Sequence, residues 1–406
     1  MKKYFSYKQQ KLHCESLNLE KLAKRYGTPF YVYSSQSLQI QFSRLAQEFA
    51  NLDHLICFSV KANPNHAILK KFFRLGAGAD VVSGGELTRA LAAGCLPENI
   101  IFSGVGKTRD EITLAIKTGI LQFNVESEQE LELIAKIAGQ LKCRACIAVR
   151  VNPDVDAKTH PYISTGLKEN KFGVDAKLAL ALYQRAKIER WLDIAGIDCH
   201  IGSQITELAP YDAAFSQLRE LILEIRKSGI HLKTVDLGGG LGIRYHDEKE
   251  INPKAYAQLV KKYFGDLGLR ILLEPGRFLV GHAGALVTTV LFTKESSHGK
   301  YFTIVDAGFN DFKRPALYQA YHEIVPLRQT SKSRVVMDVV GPVCETTDIF
   351  ARDRRIIPQK SGDILAILDV GAYGAAMACF YNSRPLPLEI LVNGKTHRVV
   401  RQRITL

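Results

Sequence analysis

The chain has 406 residues, 46% of them hydrophobic and 23% charged, with a formal net charge of +13. That length and apolar share suit a globular protein with a sizeable core and more than one domain, and exclude a low-complexity or disordered chain. Its lysines and arginines are scattered, with no basic run interleaved with aromatics, so the excess charge reads as attraction for small anions and not as a nucleic-acid surface.

No apolar stretch reaches the ~20 residues of a membrane helix. Met1-Lys2-Lys3-Tyr4-Phe5 is followed by polar residues, so no secretory leader is expected and the expected location is cytoplasmic, with reduced thiols. Of eight cysteines only Cys143 and Cys146 form a CxxC pair, without a second pair or a nearby histidine pair, and no metal site is expected.

Taken in order, residues 17–26 are helical in pattern and stop at Gly27, and 28–33 form a β-rich run. An amphipathic helix at 38–51 opens a repeating rhythm. Apolar runs recur at 56–60, 79–83, 100–104, 121–126, 146–152, 194–202, 234–240 and 270–277, separated by helical patterns such as 85–93, 128–141 and 211–228. Eight strands alternating with helices predict a (β/α)8 TIM barrel over residues 37–280. An open doubly wound sheet is the competitor, but polar residues gather at nearly every strand's C-terminal end, where a barrel builds its site. Beyond Gly281 come β-patterned runs at 285–292, 301–305, 335–340, 364–368 and 389–400, the last broken by the hairpin signal Asn393-Gly394. They predict a second, all-β domain built from 281–406 together with 1–36.

The run Ile56-Cys57-Phe58-Ser59-Val60 ends in Lys61, followed at once by a turn signal. Partial desolvation at a buried strand's mouth lowers a lysine's pKa and lets its amine form a Schiff base with an aldehyde, although a single such lysine also reads as a solvated strand end. Gly238-Gly239-Gly240-Leu241-Gly242 lets backbone N–H groups approach an anion, or is simply a tight turn. Glu274-Pro275-Gly276-Arg277 offers a carboxylate and a guanidinium, or a surface ion pair; His200-Ile201-Gly202-Ser203-Gln204 offers a ring to stack or titrate, or a core histidine. Asp80, Ser83, Ser103, Arg150 and Asn152 complete a polar rim. An amine, an anion cradle, a flat ring and a buried carboxylate are jointly what pyridoxal phosphate requires.

With Phe58-Ser59-Val60-Lys61-Ala62-Asn63, these motifs resemble the fold-type III pyridoxal-phosphate-dependent amino-acid decarboxylases. Four further stretches resemble the branch of that family acting on diaminopimelate: His160-Pro161-Tyr162-Ile163-Ser164-Thr165-Gly166, Arg314-Pro315-Ala316-Leu317-Tyr318, Gly341-Pro342-Val343-Cys344-Glu345 and Asp369-Val370-Gly371-Ala372-Tyr373-Gly374. The resemblance covers nearly the full length, about residues 28–382.

It implies decarboxylation of meso-2,6-diaminopimelate to L-lysine, the last step of lysine biosynthesis. Lys61 would hold the cofactor, His200 stack on its ring and Glu274 pair with the ring nitrogen. Ser203, Gly239, Gly240, Gly276, Arg277 and Tyr373 would lie around the phosphate. Arg277, Arg314, Tyr318 and Tyr373 would hold substrate, Cys344 would donate the final proton, and Glu345 would take the distal ammonium. The family shares its sites across a homodimer, with Cys344 and Glu345 coming from the partner chain. Thr346-Thr347 departs from the smaller residues expected there, which bears on the shape of the distal pocket. The competing readings are a decarboxylase of ornithine, arginine or carboxynorspermidine, a racemase on the same scaffold, and a non-catalytic cofactor-binding protein.

Overall fold

The structure, a computed structural model, describes residues 4–156, 171–331 and 333–405. The chain divides into two units, Phe42–Ile243 with Lys249–Phe278, and Met1–Gln41 with Arg244–Glu248 and Leu279–Leu406.

The first unit is a closed parallel barrel. Its strands are β1 (His54–Ser59), β2 (Gly78–Val81), β3 (Ile100–Phe102), β4 (Gln122–Val125), β5 (Ala145–Arg150), β6 (Leu192–Asp198), β7 (Thr234–Asp236) and β8 (Arg270–Leu273). Each pairs with its sequence neighbour and β8 pairs with β1, as a (β/α)8 barrel requires. Helices between the strands start where polar side chains satisfy their free N–H groups. Ser83 Oγ accepts from Glu86 N–H ahead of Gly84–Ala92, Ser127 does the same ahead of Glu128–Leu141, and Thr108 with Glu111 forms a reciprocal capping box.

Side chains alternate along a strand, so one column of each strand fills the barrel. Leu55, Cys57, Ile101 and Leu272 cluster from strands that are not all neighbours, and plug one level of the interior. At the next level the lining turns polar. Gln122 bonds Thr234 and Asn124 bonds Asp236, both linking β4 to β7 across the interior. The change from apolar to polar along one column is what concentrates chemistry at the strands' C-terminal ends.

The observed strands stop earlier than the apolar runs in sequence. β1 ends at Ser59, and Lys61 sits in the single 3-10 turn Val60–Ala62 that follows. β6 ends at Asp198, so His200 lies in the loop beyond it. Apolar residues past a strand end, such as Val60 and Ile201, are buried all the same, which the residue pattern does not distinguish from strand.

One buried cation braces the loops after β3 and β4. Lys107 Nζ lies 2.6 Å from Glu130 Oε1 and donates to the carbonyls of Gly104 and Asn124 at 2.7 and 2.8 Å, with its side chain 1% exposed. Removing one partner of such a pair strands the other charge, so Lys107→Ala is expected to cost about 3–5 kcal/mol, read in equilibrium urea unfolding.

The second unit is mainly β and draws on both ends of the chain. Strand Phe30–Ser34 pairs antiparallel with Gly284–Glu295 and parallel with Leu388–Asn393. Asn393-Gly394 turns the chain into Thr396–Arg401, with Gly394 at φ 60°. Phe30, Val32, Ala285, Val287, Ala366, Leu388 and Ile390 form its core with Phe5, Leu12 and Leu22. It departs from an all-β unit by the helices Leu19–Tyr26 and Arg314–Tyr318, and gains two strands that the pattern does not predict, Ile324–Pro326 and Ile349–Ile356, and an N-terminal hairpin, Phe5–Lys8 with Lys11–Cys14.

Candidate active site

The barrel unit brings one set of predicted residues to a single rim. Lys61 Nζ lies 3.1 Å from Asp80 Oδ2, and the lysine side chain stays 39% exposed while Asp80 is fully buried. Ser59 Oγ donates to that same Asp80 oxygen at 2.7 Å and lies 2.9 Å from the Glu274 carbonyl, tying β1 to β2 and β8. The amine is therefore held by a carboxylate yet open to the mouth.

Glu274 follows β8 and is buried. Ser103 Oγ donates to its Oε1 at 3.2 Å. Burial, then the neighbouring Asp236 and Asp80 charges, pushes the Glu274 carboxyl well above the usual range, against the pull of Lys61 and Arg150. Asp198 is raised by burial and by Glu274, and Asp236 is pushed up to about 8 by burial and Asp198. Arg150 offsets part of this acidity, 3.1 Å from Glu126 and 3.8 Å from Asp198.

His200 is half-buried beyond β6, and its Nδ1 accepts the Gly239 N–H at 3.1 Å. Burial, together with the Arg150 and Lys61 charges, holds its pKa well below the usual imidazole value. The bond and the shift agree on a neutral ring with Nδ1 unprotonated. The glycine run after β7 is required by crowding. A Cβ on Gly238 would lie 2.5 Å from His200 Nδ1, and one on Gly239 2.3 Å from the Glu274 carbonyl oxygen. Arg277 opens the short helix Arg277–Val280 directly after Gly276, and donates to Ser203 Oγ at 3.2 Å.

The other predicted residues belong to the second unit. Arg314 is buried, with Nη1 2.7 Å from His322 Nε2 and its guanidinium 4.7 Å from the Tyr245 ring centroid. Tyr318 ends the helix Arg314–Tyr318, and Tyr373 adopts a left-handed φ of 56°. Cys344 is exposed, its N–H donating to Asn382 Oδ1 at 3.3 Å, and Glu345 Oε1 accepts from Tyr381 O–H at 2.6 Å. The motif at 160–166 lies outside the described residues.

Sequence reading passed over Ser59, Asn124, Asp198 and Asp236, which the barrel draws into the same cluster. The available signal was one polar residue at or near the end of each apolar strand. In contrast, two rim candidates serve the loops: Ser83 caps a helix, and Asn152 Nδ2 donates to the Phe172 carbonyl at 3.4 Å.

Residues 35–281 match the family described as pyridoxal-dependent decarboxylase, pyridoxal binding domain. The chain belongs to the pyridoxal-dependent decarboxylase family. Over 401 residues it is 47% identical to a diaminopimelate decarboxylase of Aquifex aeolicus, covering 98% of this chain and 95% of the relative. A crystal structure of Helicobacter pylori diaminopimelate decarboxylase complexed with L-lysine is 44% identical and superposes with a TM-score of 0.93, covering 96% and 97% of the two chains. The M. jannaschii enzyme in co-complex with L-lysine is 37% identical, with a TM-score of 0.94 and coverage of 99% and 95%. Among the described residues no helix of this decarboxylase is long and apolar enough to cross a membrane.

The raised carboxyls of this decarboxylase have a thermodynamic consequence. A group whose pKa is higher in the folded state binds protons that the unfolded chain has released, so its stabilisation fades as pH rises toward the folded value. His200, lowered in the fold, works oppositely but only below its ordinary value of about 6.5. Protein without added ligand is therefore expected to lose melting temperature between about pH 6.5 and about pH 8. Asp236→Asn should flatten that slope in calorimetric scans.

Proposed function

We propose that this enzyme decarboxylates meso-2,6-diaminopimelate at its D-centre, giving L-lysine and carbon dioxide, with pyridoxal phosphate as cofactor. The observation that carries the proposal is the convergence of Lys61, His200, Glu274 and the 238–240 glycines on one barrel mouth. Full-length similarity to diaminopimelate decarboxylases supports the choice of substrate.

The residues fit the cofactor. There is an amine for its aldehyde, a neutral flat imidazole for its ring and a buried carboxyl for its ring nitrogen, beside a glycine turn too crowded for any Cβ. Pyridoxal phosphate, when bound, supplies the electron sink that loss of carbon dioxide from an α-carbon needs. Lys61 Nζ would be the amine that engages the aldehyde, and Asp80 holds that amine in place. His200, neutral at working pH, offers a ring face without a competing charge. Glu274 would serve the ring nitrogen. Ser203, Gly239, Gly240, Gly276, Arg277 and Tyr373 are proposed for the phosphate end, and Arg277, Arg314, Tyr318 and Tyr373 for substrate.

The working unit is proposed to be a cytoplasmic homodimer. Cys344 and Glu345 are exposed in their own chain, which suits residues that serve a second one. The partner's Cys344 would return a proton from Sγ to the α-carbon, and the partner's Glu345 would hold the distal ammonium.

The deciding experiment supplies meso-diaminopimelate, ornithine and arginine in parallel and measures carbon dioxide and amine product. Release from diaminopimelate alone supports the proposal, and release only from another diamino acid overturns it. Sharing of sites is tested by mixing Lys61→Ala and Cys344→Ala subunits, each inactive alone. Half of randomly assorted dimers are mixed and each keeps one intact site, so about a quarter of wild-type activity is expected.

A further inference from the structure

Asp236, the last residue of β7, is fully buried, and its two carboxylate oxygens are held by different parts of the site. Oδ1 accepts the Gly238 N–H at 3.0 Å, and Oδ2 accepts from Asn124 Nδ2 at 3.0 Å. The same Asn124 nitrogen lies 3.2 Å from Ser103 Oγ and 3.5 Å from Glu274 Oε1. Asn124 Oδ1 accepts from Gln122 Nε2 at 2.8 Å, and Gln122 Oε1 accepts from Thr234 Oγ1 at 2.8 Å. This ladder fixes which way the Asn124 amide points, because turning it over would set donor against donor.

We propose that Asp236 is a positioning residue that couples the phosphate end of the site to the carboxyl serving the ring nitrogen. Through Oδ1 it sets the Gly238 turn, and through Oδ2 and Asn124 it sets Glu274. The inference rests on the pyridoxal phosphate reading given above. Gly238 needs such a brace: it stands at φ +61°, and the adjoining Gly239 N–H is committed to His200. A turn pinned by a buried carboxylate on one residue and an imidazole on the next keeps its shape with or without an anion. An open loop would have to be ordered by the ligand, which weakens binding.

The test compares two probes on cofactor-free protein, pyridoxal phosphate and pyridoxal, which lacks the phosphate. Asp236→Ala takes the acceptor from the Gly238 N–H and loosens the hold on Glu274, so it is expected to weaken pyridoxal phosphate at least about tenfold and pyridoxal, which loses only the Glu274 half, by no more than about threefold. Asp236→Asn keeps an oxygen for the Gly238 N–H but sets its NH2 against Asn124 Nδ2, so it is expected to restore the phosphate preference to within about threefold of wild type while still loosening the hold on Glu274.

The second readout is the pH profile of the bound cofactor's visible absorbance in Asp236→Asn. The titratable and charged groups facing Glu274 are Asp236, Asp80, Lys61, Arg150, Asp198 and Cys57. Removing the Asp236 charge lets Glu274 stay ionised to lower pH, so the acid limb of the profile should move down. Equal weakening of both probes in Asp236→Ala, or no weakening, overturns the inference while leaving the cofactor reading intact. Wild-type protein that takes up neither probe overturns both. Should Asp236→Ala fail to fold, Asp236→Asn decides alone, and an unmoved acid limb overturns the coupling.

Discussion

Lys61→Ala is expected to reduce carbon dioxide release by at least about a thousandfold, and to abolish the visible absorbance of cofactor-loaded protein. The expectation comes from where the amine sits. Lys61 is held in the short turn after β1, 3.1 Å from Asp80, and no other lysine of the barrel is described in ion-pair contact with that carboxylate. Two consequences follow, and they can be separated. Loss of the amine removes the group proposed to engage the aldehyde. Loss of the cation leaves Asp80, a fully buried carboxylate whose Oδ1 has no partner among the described residues, with less compensation. Lys61→Arg keeps a cation beside Asp80 but cannot offer a neutral amine at working pH. It should therefore recover the melting temperature lost in Lys61→Ala while remaining equally inactive. Spectra, turnover and thermal scans on both variants check this, and residual turnover near wild type in either would sink the role of Lys61.

Glu274→Gln is the second large effect. Glutamine keeps the shape and can still accept from Ser103 Oγ, but carries no charge. A preorganised charge facing a developing charge in a water-poor site is worth about 10²–10³ in kcat, and that loss is expected with the cofactor still bound. Stability should move in the opposite direction. In cofactor-free protein Glu274 lies buried beside Asp236 and Asp80, and its ionised form is disfavoured there. Neutral glutamine relieves that repulsion, so melting temperature at pH 8 should hold or rise while turnover collapses. Near-wild-type kcat in this variant would remove Glu274 from the mechanism.

Much of this site was legible one residue at a time. Lys61, His200, Glu274 and the 238–240 glycines each follow an apolar run, and a barrel gathers strand ends whatever their order in the chain. Strand limits were less legible, since Cys199 and Ile201 continue an alternating apolar pattern after strand β6 has stopped at Asp198. The pairing of Asn124 with Asp236 was not legible. Each reads as an ordinary polar break in a strand, and the partners are 112 residues apart. The buried Lys107 was equally hidden, because in sequence it is one more loop lysine before a helix.

Local periodicity and residue type therefore determined the alternating strands and helices, the β-rich ends of the chain, and the amine, imidazole, carboxyl and glycines that stand at the rim. These depend on neighbours within a few residues. Tertiary structure alone decided that Asn124 lies between Asp236 and Glu274, that the His200 ring is neutral, and that three carboxyls titrate high. Those properties depend on distance through space and on exclusion of water, and both arise only when the eight strands close on one another.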